Sequence, residues 1–329
     1  MKSIASAPGK VILVGEHFVV GGKPAIAMAV NLRARVSVET IDNSSDIIIR
    51  SKELKIEETF SSKHINEKSP LYPVYVAASL ARQHISLEKG LDIIITSELP
   101  PAAGMGSSAA VAVATAAAVI ALRKKVDRNI VSKIAYEAEK IVHGKPSGID
   151  NTISTYGGAI LYIKEKGFTR INLNLKNVAL VLADTGMPRS TGKMVARVRK
   201  LKARYSSVLD PIYKSAEILA YEVAKALEMG DVKTVGELMN INHGLLSAIG
   251  VSTIELEHLV YAARNAGALG AKLTGAGGGG LIVALCYKKD LLNIENALSG
   301  YSKKVYIANI SRRGVIIEHK HMHSMNGVE

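Results

Sequence analysis

Short runs of hydrophobic residues alternate with polar breaks through the first hundred residues. The runs are rich in β-branched residues, and Gly, Asn, Ser and Asp separate them, which is typical of strands joined by turns. The predicted strands are residues 11–14, 25–30, 35–41, 47–50 and 91–96. One pattern with helical spacing, residues 72–85, lies among them and predicts an amphipathic helix.

Two further helices are predicted at residues 108–124 and 128–143. In the second, Ile130, Ile134 and Ala138 recur at helical spacing, and Gly144 ends the pattern. Strands follow at residues 159–163 and 178–183.

The composition then changes near residue 177, where we place a domain boundary. Residues 190–266 are predicted to be almost entirely helical, and strands return at 281–285, 304–310 and 315–317. We expect an N-terminal domain at 1–176 and a C-terminal domain at 177–329. Helices and strands lack a regular βαβ alternation, so the pattern favours an α+β fold.

The net positive charge of the chain indicates that its ligands are anionic, either nucleic acid or small molecules. The 329 residues are 48% hydrophobic and 22% charged, as in a folded globular protein, with a formal net charge of +13. The basic residues are spread along the chain, and only residues 189–204 are locally dense. Aromatic residues are 5% of the chain and do not form a stacking platform. The pattern favours small polyanionic substrates over nucleic acid.

Cys286 is the only cysteine, so an internal disulfide is excluded and a reducing cytoplasm is the expected compartment. The longest apolar stretch, residues 109–122, is too short and too rich in alanine to span a bilayer, so no membrane association is expected. Gly9 and Lys10 interrupt the apolar N-terminal run, which argues against a signal peptide.

A loop with two glycines precedes the helix predicted at 108–124. In the segment Pro100-Pro-Ala-Ala-Gly-Met-Gly-Ser-Ser-Ala-Ala110, Gly104 and Gly106 permit a turn, and Ser107 and Ser108 occupy capping positions. Glycines let backbone N–H groups approach an anion, and a helix N-terminus attracts negative charge. Since the chain has no Gly-x-x-x-x-Gly-Lys-Ser/Thr, this predicts a phosphate-binding loop that is not an ordinary P-loop.

Two carboxylates near the end of the helix predicted at 128–143 stand out. Glu139 lies at the edge of the apolar face, where a buried carboxylate needs a partner such as a divalent cation. Glu137 lies on the polar face. The following loop, residues 145–148, presents Asp150, which is either functional or a turn carboxylate.

Lys10 follows the predicted turn Pro8-Gly9 and enters an apolar strand, and Glu16 and His17 lie at the far end of that strand. Taken alone, a residue at any of these three positions is more often structural than functional. The glycines at 275–280 match Gly-x-Gly-x-x-Gly but lead into a strand, which excludes a dinucleotide fingerprint. They form either a structural turn or a wall of a substrate site.

His319, His321 and His323 alternate near the C-terminus. No cysteine accompanies them, so a solvated tail is favoured over a metal site.

Together these features match the parts that phosphoryl transfer requires: an anion-binding loop, ligands for Mg²⁺, a base and a cation. The segments 7–17, 100–110 and 272–280 resemble the signature of the galactokinase, homoserine kinase, mevalonate kinase and phosphomevalonate kinase superfamily. Segments 10–20 and 143–153 are most similar to its mevalonate kinases, and segments 184–192 and 272–280 extend the match. The resemblance runs from residue 5 to about 285, with Ala102-Ala103 in place of the commoner Gly-Ala.

The resemblance implies an N-terminal domain like the second domain of ribosomal protein S5 and a ferredoxin-like C-terminal domain. It implies Asp150 as the catalytic base with Lys10 beside it, and Ser108 and Glu139 as Mg²⁺ ligands. The implied ATP-binding loop is Ala102, Ala103, Gly104, Met105, Gly106, Ser107 and Ser108. The implied substrate-side positions are Glu16, His17, Ser147, Arg189, Thr191 and Gly277.

The implied activity is Mg²⁺-ATP-dependent phosphorylation of the 5-hydroxyl of mevalonate, in isoprenoid biosynthesis. The alternatives are another small-molecule kinase of the superfamily, such as a phosphomevalonate or homoserine kinase, and a catalytically silent ligand sensor on the same fold. The expected partners are mevalonate and ATP, and a homodimer is left open.

Overall fold

The first two strands form the centre of the larger sheet. The computed structural model describes residues 1–100, 104–144, 146–188 and 190–321. Strands β1 (Lys2–Val14) and β2 (Ala25–Ile41) pair antiparallel along most of their length. The register shifts between Pro8 and Lys10, so the predicted Pro8-Gly9 turn is an irregularity within β1.

Six more described strands complete this sheet. Their bounds are β3 (Ile47–Ser51), β4 (Ile56–Phe60), β5 (Gly90–Ser97), β6 (Ala159–Ile163), β7 (Gly167–Ile171) and β12 (Ile316–His321). The order is β12-β1-β2-β5-β3-β4, with β6 also paired to β2 and β7 paired to β6. Only β3 and β5 pair in parallel among the described strands.

Four helices belong to this half: α1 (Tyr72–His84), α2 (Ser107–Ala121), α3 (Arg128–His143) and α4 (Ile149–Tyr156). Helix α2 packs against α1, α3, α4, β1 and β2. Almost all of its residues from Ala109 to Ala121 are buried. Its many alanines let these elements approach closely, which explains why the helix carries no amphipathic pattern.

The second sheet has the order β11-β8-β10-β9 and is antiparallel. Its strands are β8 (Val178–Asp184), β9 (Gly270–Leu273), β10 (Leu281–Tyr287) and β11 (Lys304–Ala308). The helices of this half are α5 (Thr191–Arg204), α6 (Ser206–Met229), α7 (Val232–Ala248), α8 (Ile254–Asn265) and α9 (Leu291–Ser299). The expected α+β class is confirmed.

Several elements differ from the sequence prediction. Strands β4, β7 and β9 and helices α4 and α9 were not predicted, and residues 25–41 form one strand instead of two. The tail predicted to be solvated is ordered as far as His321, because β12 pairs with β1. His319 lies in that strand, and His323 lies outside the described residues. No helix in the described ranges has the length and apolarity needed to cross a membrane.

Candidate active site

The loop before α2 exposes the N-terminus of that helix. Gly104 and Gly106 adopt φ values of +79° and +70°, which few other residues tolerate. Gly106 is the N-cap residue, and no side chain of the described residues caps the helix there. Ser107 and Ser108 are therefore the first two helical residues, not the caps that the sequence predicted. Uncapped N–H groups at a helix N-terminus are suited to binding an anion.

The loop is anchored from the inside. Met105 is 1% exposed, and its carbonyl accepts a 2.9 Å hydrogen bond from the backbone N–H of Lys10. This bond fastens the loop to β1. Ala102 and Ala103, which were also predicted to bind the nucleotide, lie outside the described residues.

Lys10 joins the loop to Asp150. Its Nζ donates to the carbonyl of Gly104 at 3.0 Å and lies 3.4 Å from Oδ1 of Asp150. The lysine is 5% exposed, whereas the side chain of Asp150 is 30% exposed. A Cβ placed on Gly106 would lie 3.2 Å from Cγ of Lys10 and 3.5 Å from Oδ2 of Asp150. The loop, the ammonium group and the carboxylate thus meet at one point.

Helix α4 presents Asp150 from its first turn. The sequence placed this residue in a loop, but Gly148, at φ +84°, allows the chain to start a helix immediately. Ser147 lies just before it and is exposed, and its carbonyl accepts a hydrogen bond from the hydroxyl of Tyr162. Its own hydroxyl accepts a 3.3 Å hydrogen bond from the N–H of Ile149. These two hydrogen bonds fix the start of α4 immediately before Asp150.

Glu139 is a buried carboxylate with an unused oxygen. The residue is 3% exposed, and its Oε2 has no hydrogen-bond partner among the described residues. Burial, together with the negative charge of Asp150, raises the pKa of Glu139 to about 8, although Lys10 and the backbone N–H of Asn151 act in the opposite direction. Glu137 is exposed, as the helical pattern predicted, and it pairs with Lys140 at 2.7 Å.

The unused oxygen of Glu139 fits a cation. A divalent ion would supply its missing partner and remove the cost of burying the charge. The second predicted ligand, Ser108, is exposed in the first turn of α2, and α2 packs against α3. No group of three or more His, Cys, Asp or Glu residues in the described ranges is placed to hold a metal ion by itself. Such a sparse protein ligand set is typical of Mg²⁺ held together with substrate phosphates.

Glu16 lies inside the protein. It is 1% exposed; Oε1 pairs with the ammonium group of Lys272, and Oε2 accepts a 3.2 Å hydrogen bond from Nδ2 of Asn242. The Oδ1 of Asn242 in turn accepts from the N–H of Gly15 at 3.3 Å. Both carboxylate oxygens of Glu16 are thus bound inside the protein, and its place on the substrate side stays a prediction.

His17 connects the same turn to the glycine-rich segment. The residue has a φ of 60° and is 6% exposed. Its Nε2 lies 2.8 Å from the carbonyl of Ala276, so this nitrogen carries the proton. Burial lowers the pKa of His17, while the hydrogen bond to Ala276 and the charge of Glu16 raise it. A neutral imidazole is favoured, with Nδ1 left as an acceptor.

The glycine-rich segment makes a close backbone contact. Gly277 is buried at φ +68°, and a Cβ there would lie 2.2 Å from the carbonyl of Val251. Gly278 donates its N–H to that same carbonyl at 2.8 Å. The structural reason for these glycines is therefore clear, which favours the turn among the two interpretations left open.

The start of α5 lies beside this segment. A Cβ on Gly278 would lie 2.9 Å from the sulfur of Met194. Thr191 is the first residue of α5 and is exposed. Arg189 lies outside the described residues.

Sequence reasoning did not assign roles to Lys272, Asn242 and Thr274. Thr274 holds the two halves together, because its hydroxyl donates to the carbonyl of Ile12 at 3.1 Å and accepts from the N–H of Ile12 at 3.2 Å. The one signal in the sequence was a lysine, Lys272, among apolar residues. A fully buried lysine needs an anionic partner, but the sequence pattern does not identify which carboxylate that partner is.

The geometry agrees with the comparisons to known proteins. Residues 72–158 match the GHMP kinases N terminal domain, and residues 223–304 match the GHMP kinases C terminal domain. The chain is 40% identical to the mevalonate kinase of Thermococcus sibiricus, over 97% of this chain and 99% of that one.

Two solved structures have the same fold. The mevalonate kinase of Methanococcus jannaschii superposes with a TM-score of 0.84 at 28% identity, covering 94% of this chain and 98% of that one. The L. major mevalonate kinase in complex with R-mevalonate superposes with a TM-score of 0.79 at 31% identity, covering 94% and 95%. The chain therefore belongs to the mevalonate kinase family of the GHMP kinases.

Proposed function

We propose that this protein is a mevalonate kinase, which transfers the γ-phosphoryl group of ATP to the 5-hydroxyl of mevalonate and releases 5-phosphomevalonate. The observation that carries the proposal is the position of Lys10, whose Nζ contacts both Gly104 of the phosphate loop and the carboxylate of Asp150. Phosphoryl transfer needs a cation near the transferred phosphate and the base, and we assign this role to Lys10. A relative solved in complex with R-mevalonate supports the choice of acceptor.

Asp150 acts as the base in this proposal. Its partly exposed carboxylate orients the acceptor hydroxyl and takes its proton as the oxygen attacks the γ-phosphorus. The ammonium group of Lys10 offsets the negative charge that spreads over the transferred group. The γ-phosphorus–oxygen bond to the β-phosphate breaks, and ADP leaves. Most of the rate gain comes from positioning, because Lys10 and α4 are held by the surrounding structure.

The phosphates of ATP bind at the loop from Gly104 to Ser108 and the N-terminus of α2, where backbone N–H groups are uncapped. We assign Mg²⁺ to Ser108 and Glu139, on the strength of the unused Oε2 of Glu139. The ion would neutralise charge on the β- and γ-phosphates.

Residues around the turn at 15–17 and the start of α5 form the acceptor side. We propose that His17, Ser147 and Thr191 face mevalonate, and that Arg189 binds its carboxylate. Gly277 and Glu16 shape this side from within, since both are buried. A cytoplasmic enzyme is consistent with the single, buried cysteine, Cys286. Homodimer formation stays a prediction.

A parallel assay of phosphate transfer tests the proposal. Mevalonate, phosphomevalonate, homoserine and galactose are each offered with ATP and Mg²⁺, and kcat/KM is measured for each. We expect mevalonate to exceed the other three by at least tenfold. A higher value for another acceptor would reassign the enzyme within its superfamily, and no turnover with any acceptor would favour a ligand sensor.

A further inference from the structure

Two adjoining cavities lie away from the Lys10–Asp150 site, where the segment between β11 and β12 crosses the segment between β7 and β8. One has a volume of about 230 Å³ and is lined partly by Leu175, Ile310 and Lys288. The other has a volume of about 190 Å³ and is lined partly by Tyr156 and Arg170. Leu173 and Arg312 line both cavities, so together they form one continuous site around Arg312.

The charge of this site is entirely positive. Lys288, Arg170 and Arg312 contribute three cations, and none of the described residues that line the cavities is Asp or Glu. None of the three forms an ion pair with a carboxylate in the described ranges. By contrast, the surface cations Arg50 and Lys89 have acidic partners. Unpaired cations that converge on a concave surface are the usual basis of anion binding.

The arginines are held in place by contacts that leave their charge uncompensated. Nη2 of Arg312 donates to the carbonyl of Leu173 at 3.3 Å. The guanidinium group of Arg170 lies 5.1 Å from the ring centre of Tyr156. Because guanidinium groups have further donors in a planar fork, both can still bind an oxyanion.

The backbone beneath Arg312 is also fixed. The N–H of Ser311 donates to the carbonyl of Ala29, and the carbonyl of Ser311 accepts from the N–H of Gly158, both at 2.8 Å. Beyond the arginine, the N–H of Val315 donates to the carbonyl of Thr155 at 3.1 Å. A preorganised backbone lowers the entropy lost on binding a ligand.

We propose that these cavities form a second anion site, which binds the phosphate or diphosphate group of a small molecule. Arg312 would hold the anion at the centre, with Arg170 and Lys288 on either side. Three cations favour a ligand with at least two negative charges. The apolar wall formed by Leu173, Leu175 and Ile310 would contact a short carbon body.

The site is distinct from the phosphate loop. Tyr156 is the last residue of α4, whereas Asp150 lies in its first turn, so about 9 Å of helix separates them. Cations near the C-terminal end of a helix also stabilise the helix itself, without any ligand. The test must therefore separate ligand binding from helix stabilisation.

Calorimetric titration of inorganic pyrophosphate into the metal-free full-length protein makes this separation. We expect two binding sites in the wild type, of which ATP competes for one, and a single site in R170Q/R312Q. R82Q/R123Q is the matched control, because Arg82 and Arg123 also donate to backbone carbonyls from the surface. This control should keep both sites. Acetate, a monoanion, should give no saturable heat.

A single site in the wild type, or equal loss in R170Q/R312Q and R82Q/R123Q, would overturn the proposal. Saturable acetate binding at the same site would do so as well. Should R170Q/R312Q fail to fold, the single variant K288Q replaces it, because Lys288 forms no ion pair with a carboxylate in the described ranges. We then expect at least threefold weaker pyrophosphate binding at the second site, and unchanged affinity would reject the site.

Discussion

The ammonium group of Lys272 and the carboxylate of Glu16 form a buried ion pair that joins the two sheets. Lys272 lies in β9 of the smaller sheet, and Glu16 follows β1 of the larger one. The exposed fractions of the two side chains are 0% and 1%. Burial lowers the pKa of Lys272, and the charge of Glu16 raises it. The ammonium group also donates to the carbonyl of Leu273 at 2.6 Å, so the pair is supported by hydrogen bonds on both sides.

Removing the charge of either Lys272 or Glu16 should destabilise the protein. We expect K272M and E16Q each to lower the free energy of unfolding by about 3–5 kcal/mol, because each leaves an unpaired group in the interior. The double variant should lose less than the sum of the two. Urea unfolding of the four proteins completes the cycle. The exposed pair of Glu137 and Lys140 is the control, since K140M should change stability by less than about 0.5 kcal/mol. Additive losses would show that the two groups are not coupled.

The role proposed for Asp150 predicts that its substitution lowers turnover without lowering the affinity for ATP. D150N should lower kcat by about 10²–10⁴-fold, since the acceptor hydroxyl loses its base, while ATP affinity stays nearly unchanged. Steady-state kinetics and direct nucleotide titration measure the two effects. D127N is the control: Asp127 caps α3 by accepting from the N–H of Asn129 at 2.7 Å, so its loss should affect stability and not turnover. Near-normal kcat in D150N would remove Asp150 from the mechanism.

Variants of Glu139 and Glu137 test the assignment of the Mg²⁺ ligand, with Glu137 as the control. E139Q should raise the Mg²⁺ concentration needed for half-maximal rate by at least tenfold, because the buried carboxylate carries the oxygen assigned to the ion. E137Q should leave that concentration unchanged, because Glu137 is exposed and faces Lys140. Rates measured across a Mg²⁺ series decide between them. An equal rise in the half-maximal Mg²⁺ concentration for both variants would mean that Glu139 does not bind the ion.

The raised pKa of Glu139 predicts how the stability of the metal-free protein depends on pH. Its pKa is about 8 in the folded chain, against an ordinary value of 4.5, so the folded state holds this proton more tightly than the unfolded state. The contribution is fully present below pH 4.5, and it is lost as the pH rises towards 8. E139Q should lose less stability over this window than the wild type, when urea midpoints are compared in the presence of a chelator. Parallel curves would contradict the assignment.

The strongly periodic elements could be predicted from the sequence. Helix α3 begins and ends where the pattern placed it, and β6 has its predicted bounds. Strand β2 was divided because polar residues near Arg33 interrupt the apolar run, although pairing with β1 and β5 carries the strand through them. Helix α4 was missed because Gly148, read as part of a loop, is its N-cap.

Only part of the candidate site could be predicted from the sequence. The helical pattern alone placed Glu139 on the buried side and Glu137 on the exposed side, and both positions are confirmed. The meeting of Lys10 with Gly104 spans 94 residues, and that of Lys272 with Glu16 spans 256. No local pattern specifies such contacts. The roles assigned to Lys10 and Asp150 came from the family resemblance and stay predictions.

The pairing of β12 with β1 has a consequence for the order in which the protein can be completed. The whole smaller sheet and its helices lie in the sequence between β7 and β12, although both of these strands belong to the larger sheet. On the ribosome, the outer edge of β1 therefore lacks its neighbour until nearly the last described residues have been made. An unpaired edge invites association with other chains. The nascent larger sheet thus depends on the intervening unit folding quickly enough to deliver its final strand.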